Sequence, residues 1–519
     1  MFVDFRTLGE GSRIEADLCI IGAGAAGITI AREFVGTSVR VCLLESGGLE
    51  FDAETQALYE GETTGVAYFD LDACRLRYFG GTTNHWDGWC RPLNEIDFEA
   101  QPHVPYSGWP ITRIDLDPFY ERAHRLLEIG PYIYDERYWQ EHQIRPPEFA
   151  RDLLQIDYWR FSPPTRFGQA YLRDLEMSAN IKVLTYANVT NVQANSTASA
   201  VEYVEVRSLT GLSGLVTAKH FVLACGGIEN PRLLLLSSGV EARGLGNQHS
   251  LVGRFFMEHL ETEVATVTSD IGDELHAVLD GRKATDTGVR VQPCLSTGRR
   301  LQLEKGILSC TITLQFRSRV WQRDVWAWHE GGIPMDYWNK VWRLVRDADH
   351  LPADAYGYFV QGRLPPSSIS RISLDIVGEQ APNPDSRVTL SEDRDELGLN
   401  RARLEWRLTE LERSSMAEFV KAIGREFGRL NLGRVKVEDW SIDSGWPVNL
   451  HGANHHMGTT RMADDPKRGV VNRQCRVHGV YNLYVAGSSV FPTCGSGVPT
   501  MSIVALALRL ADHLKLQMG

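Results

Sequence analysis

Residues 16–21, ADLCII, form a short apolar run bounded by polar residues, the pattern of a strand buried on both faces of a parallel sheet. A second apolar run, Val39 to Leu44, ends in Glu45. Between them lie Gly22-Ala23-Gly24-Ala25-Ala26-Gly27 and helix-forming residues that end near Gly36. The pattern predicts a strand–helix–strand unit. Residues 221–225, FVLAC, read as another buried strand, closed by Gly226-Gly227, and 181–186 reads as strand-like. Asp117-Pro118 reads as an N-cap with proline at the first helical position. Phe119, Ala123, Leu126 and Leu127 then share a face, and Gly130-Pro131 is the stop. The segment 501–514 is apolar almost all round before Arg509, as a buried helix should be.

Each glycine of the first motif has a physical task. Gly22 permits the tight turn, Gly24 lets the backbone approach a pyrophosphate, and Gly27 lets helix and strand pack closely. The helix N-terminus adds amide donors and partial positive charge for phosphates. Glu45 stands 18 residues beyond Gly27, at the tip of the second strand, where a carboxylate can accept from ribose hydroxyls. This frame predicts a dinucleotide site rather than a glycine-rich turn in some other βαβ unit. The carboxylate disfavours a 2′-phosphate, hence NADP, and does not separate FAD from NAD.

At 519 residues the chain is too long for one simple core, so two domains are expected. A net charge of −12 with no basic run argues against a nucleic-acid partner. No stretch approaches the roughly 20 apolar residues that cross a bilayer, and Met1 to Gly11 lacks the apolar core of a secretory signal. Nine cysteines without close pairs read neither as a disulfide framework nor as a metal knuckle. The chain reads as cytoplasmic.

Further blocks carry a resemblance. One is Arg77-Tyr78-Phe79-Gly80-Gly81-Thr82-Thr83-Asn84-His85-Trp86. Another runs from His455 through HMGTTRM to NLYVAGSSVFPT and SIVALALRLADHL. With SGWPITRIDLDPFYERAHRLLEIG, VLACGGIENPRLLLL, NQHSLVGRFFMEH and PNPDSRVTL, they make the chain similar over nearly its whole length to the glucose–methanol–choline (GMC) family of FAD oxidoreductases. The nearest type is the bacterial sugar- and glycoside-oxidising, pyranose oxidase-like one. The resemblance implies an α/β fold with a Rossmann-type FAD-binding domain and a second α+β substrate domain containing an antiparallel sheet. Residues 12–95, 181–262 and 452–519 would form the FAD domain, the last carrying the catalytic segment. Residues 96–180 and 263–451 would form the substrate domain.

The same resemblance implies site residues. Gly80 to Thr83 match a loop that passes over the flavin ring, with Asn84 and Trp86 beside it. Some members tether the flavin through a histidine at the place of His85; the alternative is an unlinked histidine packed near the ring. Val189 matches the position whose backbone meets adenine. Gly487 and Ser488 fall where a second segment approaches the cofactor. That segment reads AGSSV with no acid at 487, so contact comes from backbone amides or the serine hydroxyl. His455 matches the family's general base, which takes a hydroxyl proton while hydride leaves the carbon, and His456 is structural or turned away. The family's second catalytic residue, an asparagine or histidine, stands just before Pro499-Thr500. Here that position is Val498, which neither donates nor accepts. His451, Asn454, Ser496 and Thr500 are candidates for the missing contact, His451 because it lies one turn from His455 if that stretch is helical. Otherwise one base works alone, or the protein is a flavin-containing lyase or a non-catalytic flavin protein.

Trp321, Trp326, Trp328, Trp338 and Trp342 crowd the expected substrate domain with Asp324, His329 and Asp336 nearby. Indole faces suit sugar C–H surfaces, and they equally suit core or the contact of a homo-oligomer. The expected substrate is a small-molecule alcohol, a sugar, aminosugar or glycoside. Oxygen, a quinone or a carrier protein are open as electron acceptor.

Overall fold

The computed structural model describes residues 1–279, 283–286, 288–318, 369–437, 440, 445–447 and 449–519. The tryptophan-rich stretch 321–342, with Asp324, His329 and Asp336, lies outside the described residues. Four consecutive buried apolar residues need cover on both faces. Leu18–Ile21 finds it inside a six-stranded parallel sheet ordered Phe2–Asp4, Ile181–Thr185, Val41–Leu44, Leu18–Ile21, His220–Leu223 and Leu483–Val485. Leu18–Ile21 and Val41–Leu44 flank the helix Ala25–Glu33, which is the expected strand–helix–strand unit. Gly226-Gly227 do more than close a strand: they open the helix Gly226–Leu236.

The helix Thr500–Met518 is buried along most of its length and packs on Ala25–Glu33 and Arg113–Leu127. This second partner helix starts earlier than its proline suggests. Thr112 and Asp115 form a capping box, so the helix begins at Arg113 and Pro118 lies inside it. The box satisfies two orphan amides at once, which outweighs the single ladder bond a proline lacks. The buried face is Leu116, Tyr120, Ala123, His124 and Leu127, and the chain turns at Glu128 in the left-handed region.

A nine-stranded antiparallel sheet, counted among the described residues, makes the second layer. Its strands His259–Thr268, Ile369–Glu379, Cys310–Ser318, Arg290–Thr297 and Leu154–Phe161 run side by side. The helix Glu410–Arg429 covers this sheet with Met416, Phe419, Val420, Ile423 and Phe427. The strand Gly61–Gly65, within the range expected for the FAD domain, pairs instead with Asn400–Trp406 in a three-stranded sheet. Trp89–Cys90 likewise joins the nine-stranded sheet through Leu154–Phe161. The stretch between Gly61 and Cys90 therefore runs from the three-stranded sheet to the nine-stranded one, and its residues Phe69, Ala73, Leu76 and Arg77 line the cleft.

Candidate active site

A cavity of about 1110 Å³ opens at the carboxyl ends of the parallel strands and is roofed by the nine-stranded sheet, the location at which open α/β sheets bind ligands. Its floor is the glycine turn. Gly22 has φ +100°, and a Cβ there would come within 2.7 Å of the Ala224 carbonyl oxygen. A Cβ on Gly27 would sit 1.9 Å from the Gly22 oxygen, so this glycine holds the helix against the turn. A Cβ on Gly24 would meet nothing within 4 Å: it would enter the cavity. Gly24 is also the N-cap of Ala25–Glu33 without any side-chain cap, and Ala25 and Ala26 line the cavity beside it. Glu45 is buried, and its carboxylate accepts from the Ala23 amide at 2.9 Å and the Gly47 amide at 3.0 Å.

Gly80 and Gly81 both adopt positive φ, and a Cβ on Gly81 would lie 3.2 Å from Gly24 Cα, so this loop rides directly on the glycine turn. Thr83 Oγ1 donates to the Gly80 carbonyl at 2.7 Å, and Asn84 Nδ2 donates to the Phe79 carbonyl at 2.9 Å. Gly81, Thr82, Thr83, His85 and Trp86 line the cavity; Gly80 and Asn84 shape the loop behind it. Trp86 is anchored by its indole N–H on the Thr165 carbonyl at 3.1 Å. Burial, then Arg166, lower the pKa of His85.

Across the cavity, His455 lies in the wall. Its Nδ1 is 2.9 Å from Nδ1 of the fully buried His259, whose Nε2 is 3.0 Å from the Gly495 carbonyl. One carboxyl oxygen of buried Glu258 accepts from the His455 amide at 2.7 Å and the His259 amide at 2.9 Å. Tyr68 donates to the other oxygen. Burial lifts the Glu258 pKa to about 7 against the pull of these donors. Burial lowers His259 to about 4, and burial followed by the neighbouring His259 holds His455 well below 6.5.

Residues 17–285 match the family described as FAD dependent oxidoreductase, and residues 382–507 match the GMC oxidoreductase family. This chain belongs to the FAD-dependent oxidoreductases of the GMC family. It is 24% identical to a 2-methyl-1,2-propanediol dehydrogenase of Mycolicibacterium austroafricanum, an alignment covering 96% of this chain and 95% of the relative. It is also 24% identical to a 6'''-hydroxyparomomycin C oxidase of Streptomyces lividus, over 96% of this chain and 92% of the relative. The crystal structure of a formate oxidase shares the fold, with a TM-score of 0.56, 17% identity, and coverage of 98% and 99% of the two chains. As a GMC enzyme the protein uses FAD and acts on alcohols.

The cradle fits that cofactor: the open volume above Gly24 and the uncapped helix N-terminus suit a pyrophosphate. Val189, Leu233 and Leu399 give the cavity apolar lining, and Gly487, Ser488, Pro499 and Thr500 line it as well. The Ser488 hydroxyl donates its one proton to the His456 carbonyl at 2.6 Å, which leaves backbone amides as the donors of this segment. Near Glu45, burial raises the Glu229 pKa, but Arg232, Arg75 and Arg77 outweigh it and hold the carboxyl at about 2.

Two expectations change at this site. His451 is not on a helix: it forms a short strand with Gly452 against Leu260 and Glu261, because the pairing edge of His259–Thr268 is open there. Ser496 is fully buried, bonded to Arg91 at 3.0 Å and to Thr311 at 2.9 Å, and does not line the cavity. His456 does line it, while its ring packs toward Tyr68 and Phe256. Of the remaining candidates, His451, Asn454 and Thr500 all line the cavity, and Asn454 holds φ at 60°. Val498 packs with Trp159, Phe161 and Cys294 as apolar wall. His259 and Glu258 carry no sequence-level signal beyond their place in the segment FFMEH, since the pairing of position 259 with 455 is a product of folding.

Proposed function

We propose that the protein oxidises a CH–OH group of a sugar, aminosugar or glycoside to the carbonyl, with His455 as general base. When bound, FAD supplies the hydride acceptor. His455 takes the hydroxyl proton on Nε2, the ring nitrogen that His259 does not engage. The observation that carries this reading is the placement of His455, its imidazolium disfavoured by burial, in the wall of the same cavity as the Gly24 cradle. Asn454 and Thr500 are the polar groups best suited to steady the developing alkoxide where Val498 offers nothing.

The chemistry of the roof supports a polyhydroxylated or amino-bearing substrate. Trp89 supplies an indole face, with Thr313 and Gln315 as hydrogen-bonding groups. Glu261, Asp375 and Asp87 give this end carboxylate character; burial, opposed by His451 and reinforced by Asp375 and Asp87, raises the Glu261 pKa. An ammonium group there relieves the repulsion among the acids. The Streptomyces lividus relative, named for hydroxyparomomycin C, points the same way.

The test is anaerobic mixing of the yellow holoenzyme with a panel of neutral sugars, aminosugars and simple alcohols while the flavin band is followed. Bleaching is expected with a sugar-like member, and His455→Ala should slow it on the order of 10²- to 10⁴-fold with flavin content unchanged. Undiminished bleaching in that variant would refute the assignment of the base.

A further inference from the structure

A histidine can serve as base only if the nitrogen facing its substrate is the bare one, and a neutral imidazole has one bare nitrogen out of two. Here the choice is dictated from behind. The Gly495 carbonyl can only accept, so His259 Nε2, 3.0 Å away, carries a proton. Its neighbours allow His259 one proton: burial holds its pKa at about 4, so at neutral pH the ring is uncharged and Nδ1 is bare. A bare nitrogen 2.9 Å from His455 Nδ1 requires a proton on the latter. The remaining nitrogen, His455 Nε2, is then the unprotonated one. Glu258 fixes the separation of the two rings, because one of its oxygens ties the backbone amides of both residues.

We propose that His259 is a positioning residue that sets the tautomer of His455, through a directed chain running from the Gly495 carbonyl to the cavity. The inference rests on the reading of His455 as base and adds what makes it competent. The proton balance is simple. A hydroxyl proton arriving at His455 Nε2 gives a ring protonated on both nitrogens. The Nδ1 proton stays in its hydrogen bond to His259 Nδ1, which shares the positive charge, and no proton leaves the pair. The reverse chain, with His455 Nδ1 bare, would need His259 Nδ1 to donate. A neutral His259 would then aim a bare Nε2 at a carbonyl oxygen, which is repulsive.

Two variants of the holoenzyme separate positioning from mere packing. His259→Leu fills space but accepts nothing, so it frees His455 to take the inactive tautomer. His259→Asn places Oδ1 where Nδ1 stood and accepts as before. Flavin reduction should slow on the order of 10²-fold in the leucine variant, at unchanged substrate affinity, and return to within about 10-fold of the parent in the asparagine variant. Selective ¹⁵N labelling of histidine reads the tautomer without any substrate: His455 Nε2 should show the shift of an unprotonated nitrogen in the resting parent enzyme and in His259→Asn, but not in His259→Leu. A protonated His455 Nε2 in the parent enzyme overturns the proposal. So does a leucine variant with parental rate, or an asparagine variant as slow as leucine with native flavin content and Tm. Failure of the base assignment itself is recognised separately, by undiminished reduction in His455→Ala.

Discussion

At His455 the surroundings set both the proton content and the pH range of the chemistry. Burial and the adjacent His259 disfavour the imidazolium, so the conjugate acid forms only well below the ordinary value of 6.5. The base form therefore prevails at every pH above that lowered value and is lost only as pH falls through it. The kcat/KM of flavin reduction should stay level across neutral pH and decline only in acid; an acid limb centred near 6.5 would contradict the burial argument. Val498 shows the opposite kind of determination. Its valine is read from the chain as a lost polar contact, yet in the fold it completes an apolar wall with Trp159, Phe161 and Cys294. Burying a polar group there without partners costs about 1–3 kcal/mol, which is a physical reason for valine to stand at this position.

Among the elements, the glycine turn and the loop above it are the most constrained. Gly24 and Gly27 differ in the fold along the lines their places in the motif predict. Gly24→Ala should leave the fold intact and abolish flavin retention, since its methyl group enters open cavity. Gly27→Ala should compromise the fold itself, since the methyl would collide with the Gly22 oxygen. The ratio of flavin to protein absorbance, taken with Tm, separates the two: loss of flavin at native Tm for the first, loss of both for the second. Equal Tm for the two variants would count against the assignment. The helix Arg113–Leu127 illustrates how a local signal is overridden. Asp117-Pro118 reads as a start, but Thr112 and Asp115 satisfy more orphan amides five residues earlier. His451 would lie one turn from His455 only on a helix; it is held extended by Glu261 across the sheet edge, a partner that is far away in sequence.

At the scale of the molecule, the chain carries −12, and Glu261, Asp375 and Asp87 are among the residues that line the cavity. An aminosugar should therefore be favoured over its neutral counterpart, and the advantage in kcat/KM should shrink as salt shortens the Debye length from ~30 Å to ~8 Å. Salt-independent discrimination would argue against electrostatic recognition. The glycine turn, the buried strands, the terminal buried helix and the family were legible in the chain, because each depends on contacts between neighbours in sequence or on strict local geometry. The strand–helix–strand unit needs only its own glycines and apolar runs, and that is why residues 16–45 announce a dinucleotide. What tertiary structure alone decided is the functional core of the opposite wall. His259 meets His455 across 196 residues, Glu258 ties their amides together, and Val498 becomes wall instead of a missing donor. Hydrogen-bond direction and desolvation arise from what folding brings into contact, and no pattern along the chain carries that information.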